Sequence, residues 1–312
     1  MAIKPNNFKS MRKLICIVAA LSISVTGFAQ SSATLFNRAV EKYYNQDYKG
    51  AVEDYTKVIE INKDDAKAYL SRGIAKYYMQ DFEGAIADQD KALQINPKYA
   101  DAYFNKGDCY YNLQDYDKAL VFYSKTLEIN PKDAMALVSR GLTKQYIKDY
   151  KGAIEDFTLT IKYHPGIAYG YIYRGVAKYY LGQHKEAIED YTKSMKVQQV
   201  SDAYYNRGNS EDALKDYESA MKDYNKAITM NPKHYKAFHN RGLTKITLKD
   251  DKGAIEDFTK AINLNSHYGD AYYNRGVAQL NIGQKDAACK DFQKARQLGQ
   301  IKSKNAIDKN CK

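Results

Sequence analysis

The sequence contains no tryptophan, only five prolines and only four cysteines among 312 residues. Glycine and proline are too few for a collagen-like chain or a Pro/Gly-rich disordered chain. Beyond residues 14–29 there is no apolar run long enough to span a membrane. These absences disfavour collagen-like, disordered and multi-span membrane proteins, and they predict a chain that folds around a core.

The charge is positive but dispersed. Lysine and arginine number 48 against 37 aspartates and glutamates, which gives a formal net charge of +11. The first 29 residues contain four basic side chains and no acidic one, so the remainder is only mildly basic. There, basic and acidic residues alternate along nearly every segment, whereas a nucleic-acid-binding protein clusters its basic residues on one face. The pattern predicts solvated helix faces and no nucleic-acid partner.

The N-terminus has the three parts of a secretory signal peptide. A basic stretch ending in Arg12-Lys13 precedes the apolar run 14–29, which closes with Gly27-Phe28-Ala29 before Gln30. We therefore predict a signal peptide over residues 1–29 and a mature protein that is exported, periplasmic or extracellular, without a membrane span. The Phe-Ala-Gln ending and the Tyr/Lys-rich composition resemble exported proteins of Bacteroidetes-type bacteria. The alternative is an uncleaved anchor.

The rest of the chain repeats itself at a nearly constant interval. A basic residue followed by glycine recurs at Gly73, Gly107, Gly141, Gly175, Gly208, Gly242 and Gly276, and Ala39 extends the series backwards. A further alanine follows each of these at a constant spacing, at Ala51, Ala85, Ala119, Ala153, Ala187, Ala220, Ala254 and Ala288. Small residues at both places predict two helices that approach closely.

This pattern resembles the tetratricopeptide repeat family. In the second copy the motif residues are Tyr69, Gly73, Phe82, Ala85, Ala92 and Pro97. The resemblance covers eight repeats, which we number 1 to 8: 32–65, 66–99, 100–133, 134–167, 168–200, 201–234, 235–268 and 269–302. It implies an all-α, right-handed superhelical solenoid of eight helix-turn-helix repeats over 30–302, closed by a capping helix or tail over 303–312.

Two features depart from the family pattern. An arginine or lysine precedes the glycine of each repeat, or Ala39 in repeat 1, and an aspartate follows that basic residue at a fixed spacing in all but repeat 3, where Lys106 and Phe122 replace the pair. The joint loss predicts an ion pair, within a hairpin or between neighbours; the alternative is two unrelated solvated charges. The second feature is a junction at 196–213 that is one residue short and lacks its proline, which predicts either a soft joint or a tolerated irregularity.

Three cysteines remain after the signal peptide: Cys109, Cys289 and Cys311. Cys109 is interpreted as a small packing residue. If the C-terminal residues fold back as a cap, Cys311 lies beside Cys289, and we predict a disulfide in an oxidising compartment. The alternative is two free thiols.

No catalytic constellation emerges from the sequence. Four of the five histidines fall at turns or repeat junctions of different copies, without metal-ligand spacing, and no phosphate-binding loop or nucleophile triad is present. We therefore predict no enzyme activity, no cofactor and no metal site.

The predicted function is to bind another protein, as a peptide or helix segment. The resemblance implies that one face of each first helix lines a concave groove. The residues predicted for this groove are Phe36, Tyr43, Leu70, Tyr77, Phe104, Tyr111, Val138, Ile172, Tyr179, His239 and Tyr273. Two alternatives are an assembly component that self-associates and, less favoured, a module that binds glycans or polyanions; the oligomeric state is not predicted.

Overall fold

The computed structural model describes residues 27–311, with side chains from Ser32 onward. All regular elements of this part are α-helices, so the predicted all-α class is confirmed. The helices are α1 (Gly27–Tyr44), α2 (Tyr48–Ile61), α3 (Ala66–Tyr78), α4 (Phe82–Ile95), α5 (Ala100–Asn112), α6 (Tyr116–Ile129), α7 (Ala134–Tyr146), α8 (Tyr150–Tyr163), α9 (Ala168–Tyr180), α10 (His184–Val197), α11 (Ser201–Ala213), α12 (Tyr217–Met230), α13 (Tyr235–Thr247), α14 (Asp251–Leu264), α15 (Gly269–Asn281), α16 (Lys285–Gln297) and α17 (Lys302–Asn310). The predicted signal peptide lies outside the described residues except for its last three, which belong to α1.

The chain divides after Leu159 into two compact units. The first unit contains α1 to α7 and most of α8; the second contains the end of α8 and α9 to α17. Within each unit the two helices of a repeat pack as a hairpin, and the second helix also packs against the first helix of the next repeat. This consecutive pairing is the one that the resemblance implies. The predicted joint at 196–213 covers the end of α10 and all of α11, and it stays a prediction.

A close approach of ring and backbone defines the core of a hairpin. In repeat 4, a Cβ atom added to Gly141 would lie 2.7 Å from Cε1 of Phe157, so only glycine leaves room for this ring. Tyrosine or phenylalanine lies against the equivalent glycine in five further repeats: Gly107 with Tyr123, Gly175 with Tyr191, Gly208 with Tyr224, Gly242 with Phe258 and Gly276 with Phe292. The recurrent alanines of the second helices are completely buried. The small residues therefore set the distance between the two helices of a hairpin.

Aspartates begin the second helices. The carboxylate of Asp81 accepts a hydrogen bond from the backbone N–H of Gly84, which satisfies a free donor of the first turn. The same contact is made by Asp47, Asp115, Asp149, Asp216 and Asp250. The six predicted caps are thus confirmed.

Three residues link the two helices of each hairpin, and the second of them lies in the left-handed region. Six of these residues are not glycine and have φ between 63° and 68°: Gln46, Gln80, Gln114, Lys148, Lys215 and Lys249. Repeats 5 and 8 have Gly182 and Gly283 there. A side chain in this conformation costs free energy because its Cβ crowds the backbone.

We expect Gln80→Gly to raise the free energy of unfolding by about 0.5–1 kcal/mol, because relief of this strain exceeds the added entropy of the unfolded chain. Urea unfolding followed by circular dichroism measures the change. Gly182→Ala is the matched reverse change and should lower stability. A loss of stability in Gln80→Gly would refute the assignment of strain to this turn.

The C-terminal helix is attached to the last repeat. Helix α17 packs against α16, and its Ser303 is fully buried. Cys289 of α16 and Cys311 form a disulfide, with their Cα atoms 5.6 Å apart, and Cys109 is buried and does not take part in it. The bridge closes a chain segment of 22 residues, for which the loop-entropy relation gives a stabilisation of about 3 kcal/mol.

Candidate binding face

Seven hairpins contain the predicted arginine–aspartate pair. In repeat 2, Nε and Nη2 of Arg72 donate to the two carboxylate oxygens of Asp88 at 2.9 and 2.6 Å. The other pairs are Arg38–Asp54, Arg140–Asp156, Arg174–Asp190, Arg207–Asp223, Arg241–Asp257 and Arg275–Asp291. Each joins the two helices of one hairpin. The prediction of an ion pair is therefore confirmed, and of its two geometries the one within a hairpin is correct.

Two further contacts, which the sequence analysis missed, extend the pair. A lysine four residues after the arginine approaches the same aspartate: Lys76 Nζ lies 2.8 Å from Oδ2 of Asp88. The third guanidinium nitrogen of Arg72 donates to the hydroxyl of Thr56 in the preceding repeat, at 3.1 Å. The arginine thus links neighbouring hairpins, and we call the arginine, aspartate and lysine of one hairpin the ion triad.

Repeat 3 replaces the ion triad with rings. Phe122 occupies the aspartate position and stacks on Tyr110 and Tyr103, at centroid distances of 5.3 and 6.4 Å. Lys106 lies over the Phe122 ring at 4.4 Å and forms its ion pair with Asp90 of the preceding repeat. Lys106 therefore has an anionic partner, but this partner lies in the preceding hairpin.

A row of tyrosines connects successive first helices in the first unit. We define the tyrosine row as Tyr43, Tyr77 and Tyr111, all partly buried. The Tyr43 ring contacts that of Tyr78 at 5.6 Å, and the Tyr77 hydroxyl accepts a hydrogen bond from Nδ2 of Asn112 at 2.9 Å. These contacts join α1 to α3 and α3 to α5, so neighbouring repeats fix the orientation of the rings.

The surroundings of Tyr111 keep its hydroxyl protonated. Burial raises the pKa of its phenol, and Tyr146 and Asp108 raise it further by charge repulsion. The Tyr111 hydroxyl therefore stays protonated near neutral pH. A protonated phenol both donates and accepts hydrogen bonds, which suits it to polar groups of a bound chain.

The predicted groove residues differ in exposure. Four of them are buried, with exposures of 1–6%: Leu70, Val138, Ile172 and His239. They pack between helices and present almost no surface, which corrects the expectation that they line an exposed groove. The partly exposed ones are Phe36, Tyr43, Tyr77, Phe104, Tyr111, Tyr179 and Tyr273. Most of the predicted groove residues that are partly exposed are therefore tyrosines.

In the second unit, repeats 6 to 8 contain a polar network that the sequence analysis did not find. Nδ2 of Asn240 donates to Oδ1 of Asn209 at 2.7 Å, and Nδ2 of Asn274 lies 2.9 Å from Nε2 of His239. The other ring nitrogen of His239 lies 3.3 Å from the hydroxyl of Tyr268. Burial lowers the pKa of His239, so this imidazole is uncharged near neutral pH. The asparagines that precede the arginine at 240 and 274 were the signal in the sequence.

Within residues 27–311, no group of three or more His, Cys, Asp or Glu side chains is arranged to hold a metal ion. None of the helices in this range is long and apolar enough to cross a membrane.

Sequence profiles of one family match the chain. Tetratricopeptide repeat profiles match residues 100–133, 201–234, 235–268 and 270–298, and a TPR repeat profile matches residues 75–114. Together the matches cover half of the chain. This chain belongs to the tetratricopeptide repeat family. Members of this family are scaffolds for protein–protein interaction and are typically not catalytic.

Solved tetratricopeptide proteins share the fold. The APC/C hetero-tetramer Cut9–Hcn1 matches with a TM-score of 0.63 at 16% identity, over 92% of this chain and 57% of that chain. YrrB, described as a TPR protein with an unusual peptide-binding site, matches with a TM-score of 0.53 at 25% identity, over 61% of this chain and 98% of its own. MamA from Desulfovibrio magneticus RS-1 has a TM-score of 0.50 at 21% identity, over 54% and 95% of the two chains. A comparison with curated proteins found no significant match.

Proposed function

We propose that this tetratricopeptide protein is a non-catalytic adaptor of the cell envelope that holds an extended or helical peptide of another protein on its first helices. The observation that carries the proposal is the tyrosine row, which recurs at the equivalent position of α1, α3 and α5. The peptide-binding site in the description of YrrB supports it, since that protein is similar over most of its own length. The predicted signal peptide supports the location in the envelope.

The chemistry of the tyrosine row fits a peptide. A tyrosine ring offers apolar area for side chains, and its hydroxyl offers a hydrogen bond for the main chain. The Tyr77 hydroxyl is already held by Asn112, and the Tyr43 ring by Tyr78. Side chains that are ordered before binding lose little entropy on binding, which favours affinity.

The polar network of repeats 6 to 8 gives the second unit a different character. Its amides and hydroxyls hydrogen-bond to one another, and His239 is neutral.

The test is a double charge substitution in the tyrosine row. The chain from residue 30 onward is crosslinked in envelope extract of its own host, the partner is identified, and its affinity is measured with purified proteins. We expect Tyr77→Lys with Tyr111→Lys to weaken binding at least tenfold, because two charges must then be desolvated in the contact. Circular dichroism checks that the variant keeps its helices.

The matched control places two lysines on the second helices of the same repeats. Ile95 and Val121 are exposed there, so Ile95→Lys with Val121→Lys should bind as wild type does. Equal binding by the tyrosine-row variant and the wild type would refute the proposal. Recovery of this chain alone, unaffected by either variant, would instead establish self-association.

A further inference from the structure

Repeat 6 reverses one charge of the ion triad. In five repeats a lysine approaches the aspartate at 2.7–2.9 Å: Lys42, Lys76, Lys144, Lys178 and Lys245. Glu211 occupies this position in repeat 6, four residues after Arg207. The cluster that in those five repeats has two cations and one carboxylate therefore has one cation and two carboxyl groups in repeat 6.

The geometry leaves Glu211 poorly compensated. Arg207 gives its two donors to Asp223, with Nε to Oδ2 at 2.6 Å and Nη2 to Oδ1 at 2.9 Å. Oε1 of Glu211 lies 3.7 Å from Nε of Arg207, and its Oε2 is buried without a hydrogen-bond partner. Glu211 is only 9% exposed and Asp223 only 5%. One guanidinium does not balance two buried carboxylates, so the structure favours a proton on one of them.

The surrounding groups favour the same state. Burial is the largest cause that raises the pKa of Glu211; with the repulsion from Asp223 and Asp216, and against the attraction of Arg207, the pKa reaches about 7. The negative charge of Glu211 also contributes to the raised pKa of Tyr224 of α12. The remaining neighbours act on other residues of α11.

Those neighbours belong to α9, α10 and α13, and Tyr179 of α9 interacts electrostatically with Asp212. The Tyr191 hydroxyl of α10 hydrogen-bonds to Ser210, and the Thr244 hydroxyl of α13 donates to Oδ1 of Asp212 at 2.6 Å. Both contacts are made by residues adjacent to Glu211 in sequence, and neither supplies a cation to its carboxyl group.

We propose that Glu211 and Asp223 share one proton near neutral pH, and that loss of this proton destabilises the hairpin of α11 and α12, which makes repeat 6 pH-sensitive. In the protonated pair the carboxylic acid of Glu211 donates to the carboxylate of Asp223, whose charge Arg207 balances. When the proton leaves for solvent, the cluster holds two carboxylates and one guanidinium.

The direction of the effect follows from linkage. The pKa of Glu211 is raised in the folded chain above its ordinary value of 4.5, so the folded state binds more protons than the unfolded state. Stability from this group is therefore full below 4.5 and declines as the pH rises towards 7. Above pH 7 the whole contribution of Glu211 to the free energy of unfolding is lost. Helix α11 also carries Asn209, so loosening it would disturb the polar network of repeats 6 and 7.

The first measurement is a carboxyl ¹³C NMR titration of the chain from residue 30 onward. We expect one glutamate signal to titrate with a midpoint near 7 and to be missing in Glu211→Gln. Titration of the Glu211 signal together with the bulk of the glutamates would overturn the proposal.

The second measurement is urea unfolding at pH 5 and pH 8. Relative to Glu211→Gln, the wild-type unfolding constant should rise on the order of 50-fold between these pH values. Glu211→Lys, which restores the ion triad, should be more stable than wild type at pH 8. Glu218→Gln is the matched control, because Glu218 is a highly exposed glutamate of the same hairpin and its removal should leave the wild-type pH dependence.

Two results would overturn the proposal. One is an identical pH dependence in wild type and Glu211→Gln. The other is stabilisation of the wild type at pH 8 by added calcium or sodium but not by choline, absent in Glu211→Gln, which would mean that a metal cation occupies the site in place of the proton.

Discussion

Replacing Asp156 with alanine is expected to lower the free energy of unfolding by about 3–5 kcal/mol. Asp156 is 1% exposed and accepts hydrogen bonds from Nε and Nη2 of Arg140. Its Oδ2 also lies 2.9 Å from Nζ of Lys144. Alanine removes the only carboxylate of this ion triad and leaves two largely buried cations side by side, which is costly because neither is solvated as in water.

Urea unfolding at constant pH measures this effect. Glu155→Ala is the matched control, since Glu155 is the exposed neighbour on α8 and its loss should change stability by less than about 0.5 kcal/mol. Asp156→Asn should fall between the two, because the amide oxygen still accepts one guanidinium hydrogen bond. If Asp156→Ala were as mild as Glu155→Ala, the arginine and aspartate would be two solvated charges after all.

Repeat 3 shows why we expect a large loss of stability when Asp156 alone is removed, although a whole repeat can lack the ion triad. Phe122 and Tyr110 replace the aspartate and the lysine, and Lys106 finds Asp90. A buried ion cluster is often replaced by apolar side chains without loss when all its members change together, whereas removing one member leaves an unpaired charge. Repeat 3 has rings at the aspartate and lysine positions, whereas the neighbouring repeats 2 and 4 have the complete ion triad.

Much of the fold could be predicted because its causes are local and repeated. Gly141 and Ala153 recur at fixed spacing, and each is small because a ring or a helix passes close by. Asp81 could be predicted as a cap because its carboxylate acts three residues away. The pairing of the arginine with the aspartate could be predicted because repeat 3 lacks both residues.

The remainder depends on contacts that the spacing of the motifs does not reveal. Asp90 lies in the hairpin before that of Lys106, so a comparison of residues within repeat 3 does not find this partner. Lys76 follows Arg72 by one turn, and in the sequence it resembles the many solvated lysines around it. The family resemblance places Leu70 and Ile172 in the groove, but α3 and α9 are packed on more than one side and bury them.

Replacing Gln89 with phenylalanine is expected to raise the free energy of unfolding by about 2–4 kcal/mol. Gln89 is completely buried, and neither atom of its amide has a hydrogen-bond partner. The seven other repeats have a buried ring at this place: Tyr55, Tyr123, Phe157, Tyr191, Tyr224, Phe258 and Phe292. The substitution removes the desolvation cost of an unpaired amide and adds apolar contact against Gly73, which already has no side chain to obstruct a ring.

Phenylalanine is preferred to tyrosine because of the residue that follows the glycine. The hydroxyls of Tyr123 and Tyr224 donate to Asp108 and Asn209, whereas repeat 2 has Ile74 there, which offers no acceptor. Gln89→Leu separates the two contributions, since it removes the amide without adding a ring, and it should recover about half of the gain in urea unfolding. Lower stability in both variants would mean that the Gln89 amide makes an interaction in the folded protein that outweighs the packing of a ring.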